Sequence, residues 1–192
     1  MKRIITISRE YGAGGNAVGH ELAQKLGYEY YDKEIILKAA RASNTDMESF
    51  LKFDEKLPTE FGFAQSLFGN KSLSDKIHGI QEDIIHDIGE KGHCVIAGRN
   101  ANFILKDYQD SLHVFIYADM PWKIQYMKKE MPGATDEEIE EKIHEMDRAR
   151  RRYCEYHTGM KFGQASSYDI SLSTSTFGVE GCVELLYQLV TK

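Results

Sequence analysis

Residues 8–26 read SREYGAGGNAVGHELAQKL, and this stretch decides the fold. The residues just before it, RIITIS at 3–8, are short, apolar and β-branched, as in a buried strand. Glycines then follow at positions 12, 14 and 15. Apolar residues recur at helical spacing from Val18 until Gly27 ends the helix. The stretch therefore predicts a strand, a glycine-rich turn and a helix.

A strand, a glycine-rich turn and a helix in this order direct free backbone N–H groups at an anion. The usual loop of this kind, G-x-x-x-x-G-K-[ST], adds a lysine for the phosphates and a hydroxyl for magnesium. Here Gly15 stands in place of the lysine, and neither of the next two residues, Asn16 and Ala17, carries a hydroxyl. Three interpretations follow: a phosphate loop with its cation supplied from elsewhere, a decayed loop, or a turn without a ligand. The run of small residues favours phosphate binding.

Further apolar runs predict more strands, which alternate with helices along the chain. The strands are expected in residues 28–32, 94–98, 112–119 and 168–175, and the helices in residues 33–42, 72–90, 121–130, 135–156 and 176–190. Thr135 and Glu138 form a capping box at the start of the long charged helix. Residues 44–70 are expected to form an inserted, mobile lobe. The alternation predicts a parallel sheet with helices on both faces.

Ligands of such sheets bind beyond the carboxyl ends of the strands. The glycine loop, Arg99 and Asp119 all follow predicted strands, so they are expected to meet at this edge. Asp119 is assigned to capping the helix that begins near Pro121 rather than to a metal. The histidines show no metal-ligand spacing, and no metal-binding residues are predicted.

The composition is that of one soluble α/β domain: 192 residues, 42% of them hydrophobic, with a formal net charge of −6. This charge argues against a nucleic-acid partner or an anionic membrane surface. Cys94 and Cys182 lie in apolar runs and are expected in the core, whereas Cys154 lies in a polar stretch and is expected to be exposed. Neither disulfides nor a secretion signal is indicated, so the expected location is the cytoplasm.

The stretches SREYGAGG, YYDKEII, VIAGR and the arginine-rich MDRARRRY at 146–153 resemble the cytidylate kinase-like proteins, relatives of bacterial cytidylate kinases. The similarity extends over nearly the whole chain. The family often carries S-R-E-x-G-x-G-G, so the missing lysine is a feature of that branch. The resemblance implies a three-layer P-loop nucleoside monophosphate kinase-like fold in a single domain. Its acceptor-binding lobe would lie at about 44–90 and its lid at about 132–162.

The resemblance also implies roles for particular residues. The donor phosphates of ATP, with Mg²⁺, would be held by Gly12, Ala13, Gly14, Gly15, Asn16 and Ala17. The acceptor site would include Asp32, Lys38, Arg99 and Asn100, where Asn100 replaces an aspartate and puts selectivity for cytosine in question. The lid would close arginines over the transferred phosphoryl group.

The cation that replaces the lysine is predicted either on the arginine-rich helix at 146–153 or at Arg9. At helical spacing Arg148, Arg151 and Arg152 share a face and Arg150 points elsewhere. The catalytic set is therefore predicted as Arg148, Arg151, Arg152 and Arg9. The alternative for the helix is a solvated charged face, with Glu145 and Asp147 pairing with arginines.

The sequence thus predicts ATP-dependent phosphoryl transfer to a small phosphorylated acceptor, with CMP or dCMP favoured. Two alternatives stay open: a kinase acting on another small molecule or a protein, and a nucleotide-binding regulatory module that does not turn over. Nucleotides are the expected partners, with neither nucleic acid nor membrane, and the oligomeric state stays undetermined.

Overall fold

The computed structural model describes residues 2–32 and 71–192, and in them five strands form one parallel sheet. The order across the sheet is β2-β3-β1-β4-β5. Each neighbouring pair is parallel, which confirms the predicted sheet. The strands are β1 (Ile4–Arg9), β2 (Glu29–Tyr31), β3 (Cys94–Ala97), β4 (Ser111–Tyr117) and β5 (Ile170–Ser173).

The helices connect these strands and cover both faces of the sheet. They are α1 (Gly15–Leu26), α2 (Lys71–Lys91), α3 (Ala101–Ile104), α4 (Met120–Met127), α5 (Asp136–Thr158) and α6 (Thr174–Thr191), with a 3₁₀ turn at Ala165–Ser167. Gly178 interrupts α6 with φ 69° and ψ 173°, a kink that its freedom at positive φ allows. The three-layer α/β class expected from the sequence is therefore confirmed.

Two separate cores lie on the two faces of the sheet, because successive residues of β1 point to opposite sides. Ile5 and Ile7 pack with Leu22 of α1 and Leu186 of α6. Ile4 packs on the other face with a cluster that takes its members from α2, β3 and α3, including Ile85, Ile88, Cys94, Ile96, Ala101 and Leu105. Both faces of β1 are buried, as expected for a central strand of a parallel sheet.

The strand order places a crevice between β1 and β3. The chain leaves β1 toward β2 on one side, and leaves β3 toward β4 on the other. Two neighbouring strands whose connections diverge in this way open a crevice at their carboxyl ends, the usual ligand position in open α/β sheets. Arg9 ends β1 and Gly98 follows β3, so both residues border it.

Most predicted elements are confirmed within a few residues. Helix α1 ends at Gly27, whose φ of 68° provides the left-handed cap, and the Asp119 carboxylate accepts a hydrogen bond from Trp122 N–H at 3.0 Å as the predicted cap. The predicted helix at 33–42 and the lobe at 44–70 lie outside the described residues. In the described parts of the chain, no helix combines the length and the apolar character needed to cross a membrane.

Cys154 is buried, so the expectation that it is exposed is wrong. Cys154 is buried because it lies on the same face of α5 as the buried Ile143 and Met146. Its polar neighbours in the sequence lie on other faces of the helix. Burial raises the pKa of the Cys154 thiol. Cys94 and Cys182 are buried as predicted, and burial raises the pKa of Cys182 to about 11.

The capping box at the start of α5 gives a direct stability prediction. The Thr135 hydroxyl accepts a hydrogen bond from Glu138 N–H at 3.2 Å, and the Glu138 carboxylate accepts one from Thr135 N–H at 2.8 Å. Replacing Thr135 with alanine is expected to cost about 1 kcal/mol of unfolding free energy, since a helix N–H loses its acceptor. Urea denaturation measures this cost, with Thr135→Ser as the control that keeps the hydroxyl. Equal stability of the alanine and serine variants would contradict the prediction.

Candidate functional site

A cavity of about 240 Å³ lies against the glycine loop. The loop residues Gly12, Gly14, Gly15 and Asn16 form one wall. The other lining residues are Arg9, Glu10, Tyr11, Tyr126, Met127, Glu130 and Arg150. The N-terminus of α1 begins at Gly15 after Gly14 at φ 72°, so the unpaired N–H groups of the first helical turn lie at this wall. The arrangement suits an anion.

Arg9 lies between the loop and the end of β3. Its Nε donates a hydrogen bond to Asn16 Oδ1 at 3.0 Å. Burial raises the pKa of the nearby Tyr30 to about 12, while the Arg9 charge acts to lower it and the Asp32 charge to raise it. The structure therefore brings Arg9, Tyr30 and Asp32 together at one end of the crevice.

Helix α5 contributes Arg150 to the cavity. Arg150 Nη1 donates a hydrogen bond to the Arg9 carbonyl oxygen at 2.8 Å, and the guanidinium carbon lies 5.3 Å from the centroid of the Tyr11 ring. Arg150 is thus held over the loop by the backbone and by an aromatic face. Arg9 and Arg150 thus supply two positive charges to the cavity, while Glu10 and Glu130 supply two negative ones.

A buried ionic network joins the loop, α4 and α5. Lys123 Nζ lies 2.6 Å from Glu10 Oε2 and 3.5 Å from Asp147 Oδ2, and the Lys123 side chain is only 6% exposed. Asp147 Oδ1 also accepts a hydrogen bond from Tyr11 N–H at 2.7 Å. One lysine and two carboxylates therefore fix the first residues of the loop against α5.

The β3 side of the crevice has an unusual backbone. Gly98, Arg99 and Asn100 have φ values of 80°, 60° and 55° in succession, and such strain at non-glycine residues often marks functional sites. Burial raises the pKa of Tyr153 on α5, while the charge and hydrogen bond of Arg99 lower it. The Tyr153 hydroxyl donates to Gln81 Oε1 at 3.1 Å. Arg99 therefore lies beside α5.

The amide nitrogen of Asn100 is buried, and among the described residues it has no hydrogen-bond partner. Asn100 is 9% exposed and precedes α3 without capping it through its side chain. A buried donor without an acceptor is costly, and this one lies at the edge of the sheet where ligands of such folds usually bind. The position next to Arg99 suits a ligand group that accepts a hydrogen bond from this amide.

The structure brings together some predicted site residues and separates others. Gly12, Gly14, Gly15, Asn16 and Arg9 line the cavity, whereas Ala13 is fully buried beneath the loop. Asp32, Arg99 and Asn100 lie at the ends of β2 and β3. Lys38 lies outside the described residues. Three residues are exposed and do not line the cavity: Arg148, Arg151 and Arg152. Ala17, half-buried in α1, does not line it either.

Arg150 and the Lys123 network were absent from the predicted site. A signal for Arg150 exists in the sequence: Ile139, Ile143 and Met146 mark the inward face of α5, and one more turn along that face reaches Arg150. The predicted set instead relied on the arginines that share a face with one another. No sequence signal singles out Lys123, since lysines on amphipathic helices are usually exposed.

A five-stranded parallel sheet in this order, with a glycine loop after its central strand, defines the class of kinase-like P-loop α/β proteins. Solved structures agree. An uncharacterized protein from Eubacterium ventriosum superposes with a TM-score of 0.77 at 22% identity, covering 98% of each chain. Shikimate kinase from Bacteroides thetaiotaomicron gives 0.56 at 14% identity, again with 98% of each chain covered. Shikimate kinase from Acinetobacter baumannii, in complex with shikimate, gives 0.54 at 17% identity, covering 98% of this chain and 93% of that one.

The family model of the cytidylate kinase-like family matches residues 4–176. The chain belongs to that family, as its SREYGAGG and VIAGR stretches predicted. A search of curated protein sequences finds no significant match.

Proposed function

We propose that this protein is a phosphotransferase that moves the γ-phosphoryl group of ATP to a small phosphorylated acceptor, with CMP or dCMP the favoured acceptor. The observation that supports this most strongly is the loop cavity, where backbone N–H groups at a helix start face two arginines. Phosphoryl transfer depends on positioning and on charge stabilisation more than on covalent chemistry. The cavity offers both.

In this proposal the donor phosphates lie along residues 12–17, and Arg9 and Arg150 face them. The charge on the migrating group is spread over its equatorial oxygens, and guanidinium groups bind such oxygens in bidentate fashion. Arg148, Arg151 and Arg152 stay a prediction as lid arginines, which would have to approach the site when the lid region 132–162 closes. Closure would also exclude water and limit hydrolysis of ATP.

Magnesium would enter with ATP. In the described segments no group of three or more histidine, cysteine or acidic side chains is arranged to hold a metal ion. Mg²⁺ commonly binds through phosphates, waters and one or two carboxylates, and Glu130 and Glu10 are the carboxylates that line the cavity. Because Glu10 is paired with Lys123, Glu130 is the better candidate. The ion would neutralise phosphate charge during transfer.

The acceptor would bind on the β3 side of the crevice. Arg99 would contact its phosphate, Asp32 would border the site, and the orphaned amide of Asn100 would donate to an oxygen or ring nitrogen of the acceptor. Lys38 stays a predicted contact of the acceptor phosphate. The Asn100 amide, which stands in place of the family's aspartate, offers both a hydrogen-bond donor and an acceptor. The preference for one base over another would therefore depend on this residue.

Two observations keep alternatives open. The fold is shared with shikimate kinases, one of which was solved with shikimate, so an acceptor that is not a nucleotide is the first alternative. The second is a regulatory module that binds nucleotide without turnover, which the absence of a lysine at Gly15 and of a hydroxyl at Asn16 and Ala17 favours.

ADP release with ATP and Mg²⁺ distinguishes these functions. The acceptor panel contains CMP, dCMP, UMP, AMP, GMP, dTMP and shikimate, and Arg99→Ala, purified identically, serves as the control. We expect CMP or dCMP to stimulate ADP release by the wild type and not by the variant. If only shikimate or another monophosphate stimulates ADP release, that compound, and not CMP or dCMP, is the acceptor. If no acceptor stimulates release while ATP still raises the melting temperature, the transfer reaction with these acceptors is contradicted.

A further inference from the structure

The basic residue and a glycine have exchanged places within the loop pattern. In G-x-x-x-x-G-K the first glycine stands six positions before the lysine. Gly15 occupies the lysine position, and six positions before it stands Arg9. The chain therefore carries arginine where the pattern has its first glycine, and glycine where the pattern has its lysine.

The structure shows that this exchange is spatial as well as sequential. A Cβ atom placed on Gly15 would lie 2.5 Å from Arg9 Cβ and 2.7 Å from Arg9 Cγ. The stem of the Arg9 side chain thus crosses directly over Gly15. Any side chain at position 15 would collide with it, so a lysine there and an arginine at position 9 exclude each other.

A second glycine accommodates the other end of the same side chain. A Cβ atom on Gly98, just after β3, would collide with Arg9 Nη1. The guanidinium therefore reaches across the crevice from β1 to the end of β3, and Asn16 Oδ1 accepts its Nε–H. Gly15 and Gly98 together leave the space that Arg9 fills.

We propose that Arg9 replaces the lysine of the phosphate loop and that its guanidinium binds the terminal phosphoryl groups of the nucleotide. This inference rests on the proposed binding of ATP, and it assigns the missing cation to one residue. Arg9 is fixed at the end of a buried strand, beside the cavity that the N–H groups of α1 face. Arg150 faces the same cavity from α5, but Gly15 and Gly98 are complementary to Arg9 alone.

The test measures binding of ATP, ADP and AMP by titration calorimetry in the presence of Mg²⁺, so it needs no acceptor. The wild type is expected to bind ATP and ADP more tightly than AMP. Replacing Arg9 with alanine should reduce this preference about ten- to hundredfold, since the lost contacts are charge-assisted hydrogen bonds to terminal phosphates, and AMP affinity should stay nearly constant. The control is Arg3→Ala, which removes an exposed arginine paired with Asp110 just before β1.

A restored lysine gives the decisive comparison. Gly15→Lys alone should lose the preference for ATP, because the new side chain collides with Arg9. The double variant R9G/G15K restores the first glycine and the lysine of the usual pattern and should recover most of the preference relative to Arg9→Gly. Full ATP preference in Arg9→Ala, or no recovery in the double variant, would overturn the assignment while leaving the proposed function in place. A wild type that binds ATP no better than AMP would overturn both.

Discussion

Replacing Arg150 with alanine is expected to lower acceptor-dependent ADP release about 10²- to 10³-fold, the size of effect seen when one preorganised donor to a developing charge is removed. Arg150 lines the loop cavity and is held there by the Arg9 carbonyl at 2.8 Å. Steady-state kinetics with the best acceptor of the panel measures the effect. The loss should fall mainly on kcat if the contact is stronger in the transition state than in the ground state, which is the role assigned to Arg150 here.

Three neighbouring arginines provide matched controls on the same helix. Arg148→Ala, Arg151→Ala and Arg152→Ala remove the same charge from exposed positions of α5. If the described arrangement is the one that reacts, each should keep kcat within about threefold, which corresponds to about 0.7 kcal/mol of barrier. A large loss in any of them, with Arg150→Ala active, would favour the sequence-based assignment and require a lid movement that brings those residues in.

Replacing Lys123 with methionine is expected to cost about 3–5 kcal/mol of unfolding free energy. The variant keeps the length of the side chain but leaves Asp147 buried without its cation, and uncompensated buried charge is strongly destabilising. Glu10 loses the same partner, although it is more exposed. Urea denaturation followed by circular dichroism at neutral pH measures the difference.

Lys128 provides the comparison for Lys123. It caps the C-terminal end of α4 and pairs with Asp136 at 2.7 Å, but both side chains are well exposed. Lys128→Met should therefore cost less than about 1 kcal/mol. Equal and small costs for both variants would show that the buried network adds little to stability.

The layered fold was predictable because its signals are local. The β-branched run of β1, the glycine after α1 and the capping box at Thr135 each act within a few residues, and each is confirmed. The burial of Cys154 was missed because charged neighbours in sequence said nothing about which face of α5 packs inward. The same face carries Arg150, so one helical register explains both differences.

The cation side of the site was less predictable because it depends on distances between strands. Arg9 and Gly98 are far apart in the sequence, and they meet only because β3 pairs beside β1. The Lys123 network likewise joins residues from three elements. The sequence could nominate Arg9 as a substitute cation, but only the packing shows which glycines make room for it.

Trp122 is the sole tryptophan of the chain, and its position gives the protein an intrinsic optical probe. Its ring stacks on Tyr126, a cavity residue, with centroids 4.9 Å apart. A Cβ on Gly14 would lie 3.1 Å from the Trp122 ring, so the indole packs against the loop itself. Emission excited at the indole band therefore arises from one fluorophore beside the glycine turn. Occupancy of the loop becomes readable from the unlabelled protein, by intensity or by quenching, without an engineered dye.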